Sequence, residues 1–202
     1  MEQKMCACAN LVSFISQPQP VQESNTTQSQ GSYDCQRQVV FKDFNYVTTL
    51  DSQQSKGYTL LKNGSLGQVF VVSNHQADGY QPKITTVGIA DKKIETTCKQ
   101  SQDGYLYNID INVLVRSVRT GQISKGGLLF PKSQPLLNDE ILSQAQQQAV
   151  QDINAFLRAQ QTFDVDVIDC YQHFYAKYKD KWDAALPVQS INFHLSVTMR
   201  ED

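Results

Sequence analysis

The sequence predicts an α+β domain: a mainly antiparallel β-sheet with one long amphipathic helix packed on one face and a shorter C-terminal helix. Three stretches carry that prediction. Tyr107, Ile109, Ile111, Val113 and Val115 alternate with Asn108, Asp110, Asn112, Leu114 and Arg116. This period of two gives a strand one apolar face and one mostly wet face. Ile191, Phe193, Leu195, Val197 and Met199 alternate in the same way with Asn192, His194, Ser196, Thr198 and Arg200. Between these runs, Leu142, Ala145, Ala149, Ile153, Phe156 and Leu157 recur at helical spacing, opposite Ser143, Gln147, Gln151 and Asn154. Such a helix buries one stripe and wets the other. A chain of 202 residues, 40% of them hydrophobic, can close one sizeable core.

Taken in order, residues 1–37 read as a flexible N-terminal arm. Gln17-Pro18-Gln19-Pro20 and residues 23–32 hold almost no core-forming side chains, and such a composition does not offset the entropy of ordering it. Leu11, Val12, Phe14 and Ile15 form an apolar tip ahead of that linker, suited to docking on the domain or on a partner. The folded domain is expected over residues 38–202. Residues 39–47 are rich in β-formers and are followed by a polar turn at 51–55. Residues 58–62 and 66–73 flank Asn63-Gly64, a strong hairpin signal. Residues 83–90 and 93–99 read as two short strands separated by a charged turn. Gly104 opens the long strand, Arg119-Thr120-Gly121-Gln122 reads as its turn, and residues 123–130 as the return strand. The long helix starts at Asn138, a plausible N-cap, with Asp139 and Glu140 at the positive end of its dipole. Phe163, Val165 and Val167 alternate with Asp164 and Asp166, predicting a strand. Residues 169–182 predict the second helix, with Phe174, Tyr178 and Trp182 four apart on one side.

Composition excludes several classes. The formal net charge of -2 and the lack of a long Lys/Arg run argue against nucleic acid as a partner. Gln supplies about one residue in eight, well above ordinary usage, so the surface is polar rather than charged. No stretch reaches the roughly 18 apolar residues of a membrane-spanning helix, and no transmembrane segment is expected. Cys6, Cys8, Cys35, Cys98 and Cys170 are odd in number and scattered, the pattern of free thiols in a reducing compartment. Cytoplasmic or virion-associated localisation fits that pattern. Export to the cell envelope is the alternative, because residues 5–15 form a mildly apolar run that Asn10 interrupts.

Few residues suggest chemistry. Cys170 and His173 stand three apart on the predicted helix, so both lie on one side, as two zinc ligands or a thiol beside a base would. Asp164 and Asp166, with Asp169 nearby, form an acidic cluster that a hard cation could use, or that keeps an exposed strand from edge pairing. His75 falls in a loop composition and His194 on the polar face of the last strand. Dinucleotide, phosphate-loop, nucleophile-elbow and paired zinc-ligand motifs are missing, and no cofactor is expected.

The unit formed by a long strand, Arg119-Thr120-Gly121, a return strand and an amphipathic helix loosely resembles several small envelope-associated bacterial proteins. It resembles parts of phage tail and neck proteins equally, over about a quarter of the chain. Together these observations predict a non-catalytic structural or adaptor subunit of a larger assembly, from a phage tail or neck or from bacterial secretion or envelope machinery. Its partners would be protein subunits, in self- or hetero-assembly. The alternatives are a metal-dependent or thiol enzyme using Cys170, His173, Asp164 and Asp166, and a cytosolic protein-binding module.

Overall fold

A computed structural model describes residues 9–14, 37–62, 69–74, 83–123, 129–131, 138–163, 165–181, 183 and 186–199. They form two sheets and three α-helices, an α+β fold as the sequence predicts. A three-stranded antiparallel sheet has the order β1 (Ala9–Phe14), β2 (Arg37–Lys42), β3 (Asn45–Leu50). The larger sheet runs β4 (Val69–Asn74), β5 (Lys83–Gln100), β6 (Tyr105–Ile123), β7 (Leu129–Pro131). The last strand, β8 (Val188–Met199), pairs with β6 on the side that β7 also uses, and is its one parallel partner.

Two of the predicted strands are parts of longer ones. Residues 83–90 and 93–99 belong to the single strand β5, because Ala90 is accommodated as a bulge between Ile89 and Asp91 and the ladder continues past it. Likewise Arg119-Thr120-Gly121-Gln122 is no turn: β6 pairs with β5 through Gln122, and only the short β7 returns. The alternation in β6 holds as read. Tyr105, Tyr107, Ile109, Ile111, Val113 and Val115 are all buried, and Leu195 of β8 lies opposite Ile111 on that face. The other face is polar, where Asn108 accepts from Asn192 and donates to Thr97.

The helices cover the buried face. α2 (Asp139–Gln160) starts at Asn138, whose side chain accepts the Ile141 N–H at 2.9 Å, and it buries Ile141, Ala145, Ala149, Ile153 and Phe156. It packs against β8 and β4, and Gln146 donates to the Leu195 carbonyl. A further helix, α1 (Ser52–Leu61), stands where the sequence reading expects a turn at 51–55 and a strand at 58–62. Asp51 accepts the Gln54 N–H at 2.8 Å while the Gln54 side chain accepts the Asp51 N–H at 3.0 Å. That capping box starts a helix whose Leu60 and Leu61 enter the core. The hairpin expected at Asn63-Gly64 lies outside the described residues, and α1 removes its first strand.

α1 and α2 touch backbone to backbone at Gly57, where an added Cβ would stand 2.0 Å from the Asp152 carbonyl oxygen. Asp152 itself is 4% exposed, and its Oδ2 has no hydrogen-bond partner. Burial pushes its carboxyl up from 3.8 to about 6, against the opposing pull of Lys56 and a Gln53 hydrogen bond. Between those values the folded protein holds a proton that the unfolded chain releases. Stability is therefore greatest below the unfolded value and falls as pH rises to about 6. Asp152→Asn should flatten this slope, which amounts to at most ~3 kcal/mol. Urea midpoints measured from pH 4 to 7 check it, and an unchanged slope in the variant would contradict the assignment.

Candidate functional site

The residues with chemical character meet around α3 (Cys170–Tyr178), a helix that ends in a single 3-10 turn, Lys179–Lys181. Among the described residues the expected strand before it is absent. Residues 165–168 are irregular, with Val165, Val167 and Ile168 buried, so their alternation marks side chains tucked under a loop rather than a sheet edge. Asp166 is therefore not part of a strand face, and Asp164 lies outside the described residues. Asp166 turns inward instead and accepts the Tyr171 N–H at 2.6 Å and the Cys170 N–H, occupying the positive end of α3. Burial raises its carboxyl, and those two donors oppose the rise.

Asp169, at the N-cap position, has left-handed backbone (φ 59°) and makes no side-chain cap. Its carboxylate reaches Lys62 at 2.6 Å and ties α3 to the end of α1. Lys92 of β5 reaches the same end, donating to the Thr59 carbonyl at 2.6 Å and to the Lys62 carbonyl. Burial lowers its ammonium to about 8, but it remains charged at neutral pH, where it serves carbonyls that the helix leaves open.

The two residues singled out from the sequence have different surroundings. His173 Nδ1 lies 2.9 Å from the Tyr107 hydroxyl and 3.1 Å from Thr96 Oγ1. The Tyr107 hydroxyl is raised by burial, stays protonated and can donate to that nitrogen. Cys170 is 2% exposed, and burial, with Asp166 adding to it, pushes its thiol up. Attack and metal binding both need the thiolate. Thiol-specific reagents at pH 7 should therefore leave Cys98 and Cys170, both free and buried, unlabelled until the protein unfolds. Stoichiometric labelling of Cys170 in the native state would contradict this environment. Among the described residues no three His, Cys, Asp or Glu side chains are grouped to hold a metal ion.

Between α3 and β5 runs an open cleft of about 420 Å³, lined by Thr96, Thr97, Cys98, His173, Ala176 and Lys177. Lys177 Nζ and, at 3.2 Å, the Tyr178 hydroxyl both donate to the Cys98 carbonyl. Among the described residues no strand pairs with this outer edge of β5 beyond Gly88, and the two side chains cover it. The cleft offers hydroxyls, an imidazole and an ammonium, groups that hold polar segments. Sequence reading misses Thr96, Tyr107 and Lys177, because only the β5–β6 register and the position of α3 bring them to His173.

Other singled-out residues lie apart. His194 faces Asp110 at 3.9 Å on the exposed polar face, and His75 lies outside the described residues. Leu11 and Val12 stand in β1 opposite Val40 and Val39, and Phe14 stands opposite Arg37. Ile15 lies outside the described residues.

Comparison with known proteins adds a family. Residues 37–201 match the model of the family described as spore germination B3/GerAC-like, C-terminal. No curated protein sequence matches the chain. Among solved structures, the crystal structure of the GerBC protein is similar, with a TM-score of 0.53 and 12% identity. The likeness covers 96% of this chain and 56% of that one, so the chain spans little more than half its length. At this identity the likeness is one of fold. The family match fits the coarser expectation of a protein-interaction component and does not point to phage tail, neck or secretion machinery in particular.

Proposed function

The chain belongs to the spore germination B3/GerAC-like, C-terminal family, and on that premise we propose that it is a non-catalytic, protein-binding subunit of a germinant receptor complex. The observation that carries the reading is how the reactive groups around α3 are used. Asp166 caps the helix, Asp169 pairs with Lys62, His173 sits against two hydroxyls, and the Cys170 thiol is buried. Asp166 starts the helix itself, Asp169 ties α3 to α1, His173 ties it to the sheet, and Cys170 packs in the core. Strand β1, which lies at the end of the three-stranded sheet, supplies a surface for neighbouring subunits. No described helix is long and apolar enough to cross a membrane.

The test compares spores that lack the chain with spores carrying Cys170→Ala or His173→Gln. Loss of the germination response in the first, and its retention in both variants, is the expected result. A variant with wild-type thermal stability that still abolishes the response would favour the enzymatic alternative. Removing residues 1–36 should also lower the amount of chain held in the complex, read by quantitative blotting of the purified assembly. An unchanged amount would remove β1 and residues 11–15 from the interface.

A further inference from the structure

The turn between β2 and β3 has two residues, Asp43 and Phe44, with φ of 50° and 65°. A two-residue hairpin turn with both residues at positive φ matches the strand twist, and it favours Asn, Asp or Gly. Asp43 fits that preference. Phe44 does not, since a bulky side chain in the left-handed region is costly. The strain does not serve folding, because the Phe44 side chain is 91% exposed. Beside it Tyr46 is 63% exposed and stands edge-on to Phe41, with ring centroids 6.5 Å apart. A glycine here would ease the turn and remove an apolar side chain from solvent. Folding alone therefore accounts for neither the residue nor its exposure.

We propose that Phe44, with Tyr46 beside it, is an aromatic anchor that enters an apolar pocket on another protein. The occupant of this surface is taken to be a neighbouring subunit of the receptor complex, so the inference rests on the function proposed above and names one contact within it. Aromatic side chains on a rigid turn are the usual carriers of interface energy, because they bury large area while losing little freedom. The exposed Asp43 next to the ring calls for a basic or hydrogen-bond-donating rim around the receiving pocket. That carboxylate and the chain's net charge of -2 oppose an anionic lipid surface as the occupant.

The decisive variant is Phe44→Gly in the full chain, with Phe44→Trp as a conservative control. Phe44→Gly should raise the melting temperature of the purified chain. It should also weaken retention in the complex isolated through an affinity tag on this chain, by roughly 30-fold or more in the dissociation constant. Phe44→Trp should retain most of the binding. Wild-type retention of Phe44→Gly in an intact complex would overturn the anchor while leaving the subunit reading in place. If the wild-type chain purifies without any partner subunit, the subunit reading itself fails. Phe44-dependent binding to vesicles of phosphatidylcholine with phosphatidylglycerol, or Phe44-dependent dimers of the chain alone, would assign the anchor to a different occupant and overturn the proposal.

Discussion

Gly57→Ala is expected to destabilise the domain by roughly 1–3 kcal/mol, although alanine is the better helix former by about 1 kcal/mol. The two effects have opposite signs, and the geometry decides between them. A Cβ at position 57 would lie 2.0 Å from the Asp152 carbonyl oxygen, 2.5 Å from its carbon and 3.0 Å from the Ile153 Cα. All three are backbone atoms of α2, so no rotamer change relieves the contact. Either α1 must move off α2, opening the core at Leu60 and Phe156, or the α2 backbone must bend. Urea denaturation of the two proteins measures the difference. A midpoint equal to or above wild type would mean that the helices do not pack at this separation.

Phe174→Ala should cost roughly 3–5 kcal/mol, the range for truncating a fully buried aromatic side chain. Phe174 is the residue through which α3 enters the core. Its ring lies 4.7 Å from that of Tyr105 and 5.7 Å from that of Tyr107, and none of its surface is exposed. The polar attachments of α3, such as the Lys62–Asp169 pair, lie closer to solvent, and pairs of that kind contribute about 1 kcal/mol or less. Loss of the ring should therefore loosen the helix as well as lower global stability, and Cys170 should become reactive under conditions where the wild type is inert. A loss below about 1 kcal/mol, with Cys170 still protected, would contradict the role given to this side chain.

The parts of the fold that were legible in the sequence are those where one periodicity runs long enough to outweigh local composition. β6 and α2 bury the core of the stripe that their spacing predicts, β8 buries Leu195 and leaves Met199 exposed, and Asn138 caps α2 as expected. The misreadings share a cause, in that short polar or alternating segments take their structure from tertiary contacts. Residues 51–55 carry turn-like composition, yet Asp51 and Gln54 use those same polar groups to open α1. Phe163, Val165 and Val167 alternate because they fill space under a loop, not because they pair. Charge around Ala90 suggested a break, whereas a bulge carries the strand through it.

The candidate site was legible only in part. The spacing of Cys170 and His173 places them on one helix, but sequence could not show that one thiol is buried beside a carboxylate while the imidazole meets Tyr107 and Thr96 from two strands. Asp166 was noticed as an acid and is a helix cap. Phe44 carried no signal, since an aromatic residue in a β-rich segment reads as core. Only its backbone angle and exposure set it apart.

The central claim is that the chain works by binding other proteins within a germination receptor, and its composition in native material tests that most directly. The chain should be purified from spores through an affinity tag, in mild detergent, and the mass and subunit ratios of the assembly determined by light scattering and mass spectrometry. A defined complex holding this chain in fixed proportion to other germination proteins is the predicted result. A chain recovered alone at about its own mass of 22.8 kDa, from spores that germinate normally, would contradict it.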